Sequence, residues 1–126
     1  MSRGAVLIVE DEAMIAMMLE EYLEALDFTL FASAPDLEEG LASLAGAAKP
    51  DLALLDCRLG SDRSWPIAAR LRELGVPFAF MTGAPDDVFP EEFSHVPRLG
   101  KPFTLASMEE ILDRTLKAGG AVQQEK

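Results

Sequence analysis

The sequence predicts an α/β domain: a doubly wound, five-stranded parallel sheet with helices on both faces. Three observations predict it. Short apolar runs of buried-strand character recur five times along the chain. Segments with apolar residues at helical spacing alternate with them. The 126 residues suffice for one domain and leave no room for a second. Alternation of this kind needs right-handed crossovers, which place helices on both faces of the sheet.

Ala5–Val9 is continuously apolar, as in a strand buried on both faces, and acids end it abruptly. Ile15, Met18, Leu19, Tyr22, Leu23 and Leu26 then recur at helical spacing. Residues 28–33 read as a second, less apolar strand at an edge. Ser33 is the expected cap of the next helix, with Pro35 and Asp36 in its first turn and a stripe of Leu37, Leu41, Leu44 and Ala48. Pro50-Asp51 breaks the pattern, and residues 52–55 form a third buried strand.

Residues 56–63 read as a polar loop. Ser64 is the expected cap of a third helix, with Pro66 tolerated in its first turn and Ile67, Ala68, Leu71 and Leu74 facing inward. Gly75 is a good stop. Residues 76–81 form a fourth strand with Pro77 at its start. Residues 84–95, with Pro85 and Pro90 among few apolar anchors, predict a short or mobile helix. Residues 96–99 give a fifth strand. Thr104 should cap a last helix carrying Leu105, Met108, Ile111, Leu112 and Thr115, with Gly119-Gly120 as its end. The domain is expected over residues 1–120, with 121–126 a flexible tail.

Charge narrows the function. With 22 acids and 11 bases the formal net charge is −11. Binding to nucleic acid or to an anionic membrane draws on Lys and Arg, so neither partner is expected. A single cysteine, Cys57, excludes an internal disulfide and fits a reducing compartment. The N-terminal apolar run is too short for a signal peptide or a membrane span, so a soluble cytoplasmic protein is expected.

In such sheets the site lies beyond the carboxyl ends of the strands. Glu10, Asp11 and Glu12 follow the first strand, Asp56 the third, Thr82 and Gly83 the fourth, and Gly100, Lys101 and Pro102 the fifth. Two carboxylates 4 Å apart repel by about 4 kcal/mol at an effective dielectric of 20. Glu10, Asp11 and Asp56 together therefore need a cation or a raised pKa. All three offer hard oxygens, which suit Mg²⁺; no soft ligand accompanies them. Thr82 and Lys101 add a hydroxyl donor and a fixed ammonium. Such a set can hold a phosphoryl group on Asp56, with Asp56 as nucleophile.

These residues, in this order, resemble a CheY-like response-regulator receiver domain. The matching segments are Val-Leu-Ile-Val-Glu10-Asp11-Glu, Leu-Ala-Leu-Leu-Asp56, Phe-Met-Thr82-Gly83 and Leu-Gly-Lys101-Pro102-Phe103. The resemblance covers about residues 4–118. It implies the flavodoxin-like strand order 2-1-3-4-5. It also implies a single-domain two-component protein in which Asp56 receives phosphate from a histidine kinase. Asp11 would bind Mg²⁺ directly, Glu10 mainly through water, and Arg58 through its main-chain carbonyl. Thr82 and Lys101 would contact the phosphoryl oxygens, and Lys101-Pro102 would be cis. Receivers often carry an aromatic switch three residues before the lysine, where this chain has Arg98. Val-Pro-Phe78-Ala-Phe-Met-Thr82-Gly83 resembles the motif of the FAT GUY subgroup, which lacks that aromatic and is associated with HWE-type histidine kinases. Met81, Ala84 and Pro85 depart from that motif.

The resemblance implies signalling by conformational change and partner binding, or by phosphate relay, with only slow self-dephosphorylation and no enzymatic turnover. The downstream protein is not named by the sequence. Alternatives are a pseudo-receiver binding module and a Mg²⁺-dependent phosphatase of the haloacid dehalogenase class. The latter needs a second aspartate two residues after the first, where Arg58 stands. A nucleotide or flavin module would need a Gly-rich cradle after the first strand, where this chain has three acids. Arg58 is expected over the site, paired with Glu10 or with the phosphoryl group. Cys57 reads as a small buried thiol, His95 as a surface residue and Trp65 as an anchor for the third helix. Part of the Met14, Met17 and Met18 cluster should be exposed, where it could dock a kinase helix. Gly40 stands inside a helical pattern at a cost.

Overall fold

The computed structural model describes residues 2–84 and 87–124. Five parallel strands form the sheet: β1 (Ala5–Val9), β2 (Thr29–Ala34), β3 (Leu52–Asp56), β4 (Phe78–Thr82) and β5 (Arg98–Gly100), in the order β2-β1-β3-β4-β5. The central strands are buried on both faces, which explains their unbroken apolar character. Edge strand β2 alternates less cleanly and is half exposed.

The helices are α1 (Ala13–Ala25), α2 (Leu37–Ser43), α3 (Trp65–Glu73) and α4 (Leu105–Gln124). Alternate residues of each strand face opposite layers. Val6, Ile8, Leu54, Ala79 and Met81 pack with Leu19 and Leu23 of α1 and with Met108, Ile111 and Leu112 of α4. Leu7, Val9, Leu55, Phe78 and Phe80 pack with Ile67, Ala68 and Leu71 of α3 and with Leu44 at the end of α2. Trp65 fixes the start of α3 by an edge contact with Phe80, ring centroids 5.4 Å apart. Gly75 follows α3 at φ +73°, a conformation that suits glycine.

Gly40 owes its place to packing. A Cβ there would lie 2.5 Å from Ile67 Cδ1, so with this buried isoleucine on α3 a side chain at position 40 would force Ile67 to shift. Met14 and Met17 are exposed while Met18 packs against the core, and His95 is exposed.

Several local expectations are corrected. Asp36, not Ser33, caps α2: its Oδ1 accepts the Glu39 N–H at 2.8 Å, and β2 continues through Ala34. Helix α2 ends at Ser43, short of the stripe that reached Ala48. Ser64 occupies the cap position of α3 with no side-chain cap bond; its hydroxyl is buried without a hydrogen-bond partner among the described residues. The loop after β3 contains a small hairpin, Arg58–Leu59 against Asp62–Arg63, turning at Gly60 with φ +64°. The described part of 84–95 holds a 3₁₀ turn at Glu91–Phe93 and no α-helix, in keeping with its prolines and sparse apolar residues. Pro85 lies outside the described residues. Strand β5 begins at Arg98 rather than at 96. Helix α4 continues past Gly119-Gly120 to Gln124; a glycine costs about 1 kcal/mol in a helix and does not forbid it. Residues 125–126 of the expected tail lie outside the described residues. No described helix is long and apolar enough to cross a membrane.

Candidate functional site

The parallel sheet brings the carboxyl ends of β1, β3, β4 and β5 to one edge. Glu10 and Asp11 leave β1, Asp56 ends β3, Thr82 ends β4 and Lys101 follows β5. Strands β1 and β3 are neighbours, with Val9 opposite Leu55, so the acids that follow converge. Glu10, Asp11 and Asp56 each place a carboxylate oxygen within 4.8 Å of the others. Glu10 and Asp56 are buried and Asp11 is exposed, which gives the cluster one wet side.

Lys101 joins the two buried acids. Its Nζ donates to Glu10 Oε1 at 2.7 Å and to Asp56 Oδ2 at 2.9 Å. The Lys101-Pro102 peptide is cis. Burial pushes the Asp56 carboxyl up to about 7; the Lys101 hydrogen bond acts against this, and neighbouring Glu10 adds to it. Burial of Lys101 acts to lower its pKa, but its bonds to Glu10 and Asp56 prevail and hold it above the usual lysine value. One ammonium therefore does not fully compensate the acids around it. The donor set is all hard oxygen, with an open side at Asp11, and fits a small divalent cation such as Mg²⁺.

The loop after β3 also touches the cluster. Gly60 N–H, at the hairpin turn, donates to Asp11 Oδ2 at 3.0 Å. Glu10 Oε2 accepts the Glu12 N–H at 3.0 Å. Both Glu10 oxygens are thus engaged, by Lys101 and by Glu12. Arg58, expected on Glu10 or on a phosphoryl group, reaches Asp87: its Nε and Nη2 lie 3.0 and 2.6 Å from Asp87 Oδ1.

Thr82 stands at the same sheet edge with its hydroxyl committed elsewhere. Thr82 Oγ1 donates to Asp87 Oδ2 at 2.5 Å, with the Ala84 carbonyl an alternative acceptor at 3.0 Å. Glu10, Asp11, Asp56 and Lys101 thus come together at this edge, while the Thr82 hydroxyl bonds Asp87. Cys57 is buried, and its Sγ donates to Asp87 Oδ2 at 3.2 Å. Burial, then the Asp87 contact, pushes this thiol up, which suits an inert structural cysteine.

Asp87 is a site residue that no sequence motif singles out. Its side chain is only 2% exposed, and it collects Thr82, Cys57 and Arg58, with Arg63 Nη1 at 3.8 Å. Hydrogen bonds from Thr82 and then Arg58 hold its carboxyl down to about 2. Its sequence signal is slight: an acid five residues after Thr82, with Arg58 and Arg63 in the polar loop after the third strand.

Residues 6–113 match the response regulator receiver domain family. No curated protein matches the chain. The solution structure of SdrG from Sphingomonas melonis Fr1 is 40% identical, with a TM-score of 0.77 over 89% of this chain and 95% of that one. The BeF3-activated conformation of SdrG, from Pseudomonas melonis Fr1, is also 40% identical, with a TM-score of 0.76 over 89% and 95% of the two chains. The N-terminal domain of a response regulator/sensory box/GGDEF protein from Carboxydothermus hydrogenoformans shares the fold: 24% identity, TM-score 0.79, 93% and 97% covered. By fold, by the acid–lysine cluster at the sheet edge and by sequence match, this chain belongs to the response-regulator receiver family.

Proposed function

We propose that this chain is the phosphoacceptor of a two-component system, and that Asp56 takes a phosphoryl group from the phosphohistidine of a histidine kinase. Asp56 Oδ attacks phosphorus, the P–N bond breaks with its electron pair returning to the imidazole, and an acyl phosphate forms on Asp56. The observation that carries this reading is the Lys101 ammonium set between Asp56 and Glu10, beside exposed Asp11. Asp11, Asp56 and the Arg58 main-chain carbonyl would hold Mg²⁺, with Glu10 acting through water. The ion would supply charge neutralisation for phosphoryl transfer. Lys101 keeps an ammonium beside the phosphorylated oxygen, and the Thr82 hydroxyl is the donor for a further phosphoryl oxygen.

Residues 1–120 act as the receiver. The phosphorylated form signals by a population shift toward a second conformation and by partner binding, or returns phosphate through a relay. The kinase is of the HWE type, a reading supported by the likeness of residues 76–83 to the FAT GUY motif. Intact-mass measurement after incubation with acetyl phosphate and Mg²⁺ tests the reading. Wild type should gain one phosphoryl group and Asp56→Ala none. Unmodified wild type would favour a pseudo-receiver.

A further inference from the structure

We propose that Asp87 is a positioning residue that holds the Thr82 hydroxyl in the resting state and must yield it when Asp56 carries a phosphoryl group. The inference rests on the reading of Asp56 as phosphoacceptor.

A threonine hydroxyl has one proton. In the resting protein the short contact is to Asp87 Oδ2, at 2.5 Å. Donation to Asp87 and donation to a phosphoryl oxygen on Asp56 are mutually exclusive. Phosphoryl recognition by Thr82 is therefore an exchange between an internal carboxylate and an incoming oxyanion. Both acceptors are anionic, so the internal bond is charge-assisted and lowers the gain from the exchange.

The hairpin after β3 builds this competitor. Arg58 and Arg63 are paired across it, and both guanidinium groups face Asp87 Oδ1, at 2.6 and 3.8 Å. They keep Asp87 charged and aimed at Thr82 while its side chain is almost wholly buried. The same hairpin, through Gly60, holds Asp11 at 3.0 Å. One short element thus touches both a candidate cation ligand and the group that restrains Thr82. After the exchange Asp87 keeps its arginines, so the carboxylate is not left buried without a partner.

The test is titration of the whole chain with beryllofluoride at saturating Mg²⁺, following the Asp56 and Thr82 amide resonances. Loss of a charged hydrogen bond corresponds to an affinity change of about tenfold or more. Asp87→Ala should tighten beryllofluoride binding about tenfold. Asp87→Asn, which preserves shape and a neutral acceptor, should tighten it less. In a Thr82→Ala background Asp87→Ala should change the Kd less than about twofold, because the hydroxyl it restrains is gone. Unchanged or weaker binding in both Asp87 variants would overturn the proposal, as would equal tightening with and without the Thr82 hydroxyl. Failure of wild type to bind beryllofluoride would overturn the phosphoacceptor reading and this inference together.

Discussion

Replacing Lys101 with methionine should destabilise the protein in a manner that depends on pH and Mg²⁺. The lysine side chain is 16% exposed, that of Glu10 0% and that of Asp56 9%, and the Nζ contacts are 2.7 and 2.9 Å. Methionine keeps much of the packing volume and removes the charge. Removing one partner of a buried ion pair costs about 3–5 kcal/mol. Here the open side at Asp11 and protonation of Asp56, already pushed up to about 7, relieve part of that. A cost of about 2–3 kcal/mol is expected at pH 8. As pH falls, Asp56 takes a proton and its share of the uncompensated charge disappears, leaving that of Glu10, so at pH 5 the cost should shrink by about 1 kcal/mol. The stability contribution of Lys101's own raised pKa is lost only above the ordinary lysine range, outside this window. Urea denaturation at both pH values, with and without Mg²⁺, gives the comparison. A cost equal under all four conditions would show that Lys101 acts through packing, and the electrostatic reasoning would fail.

Wild type without metal should itself lose stability as pH rises from about 4 to above 7. The folded Asp56 pKa of about 7 lies above its ordinary 3.8, so its contribution is fully present below 3.8 and is lost through 7. Urea midpoints against pH should fall in that window and flatten with Mg²⁺; a rising curve would contradict the burial of Asp56. Gly40→Ala should cost about 1–2 kcal/mol, because overpacking against buried Ile67 exceeds the gain in helix propensity. Ile67→Val removes the clashing Cδ1, so in that background Gly40→Ala should be neutral or stabilising by denaturant melt. Asp36→Ala should cost about 1 kcal/mol by loss of the bond to the Glu39 N–H, read by the same melts.

Much of this architecture is legible from residue order. Buried strands carry unbroken apolar runs, and each delivers a polar residue to one sheet edge, so Glu10, Asp11, Asp56 and Lys101 follow directly from alternation and topology. The hairpin of Arg58–Leu59 and Asp62–Arg63 is not legible: two-residue strands have no periodicity, and only Gly60 marks the turn. Residues 84–95 offered apolar anchors without caps, and Phe89 and Phe93 instead pack around Trp65 and Phe80. Arg98, in the place of the usual aromatic, lies over the Phe89 ring at 3.7 Å, a contact that joins β5 to this segment. Asp87 gathers partners from two separate stretches of chain, the loop after β3 and the end of β4, and no local pattern announces such a convergence. The glycine at position 40 has its reason only in the approach of Ile67 on α3, which lies far from it in sequence.

Borohydride reduction of the phosphorylated protein, followed by peptide mapping, locates the modified carboxyl group directly, because an acyl phosphate on aspartate is reduced to homoserine. Homoserine at position 56, dependent on Mg²⁺ and on Lys101, is the predicted product. Reduction at Glu10 or Asp11, or phosphate held on His95 with none at Asp56, would contradict the central claim that the sheet edge presents Asp56 for phosphoryl transfer.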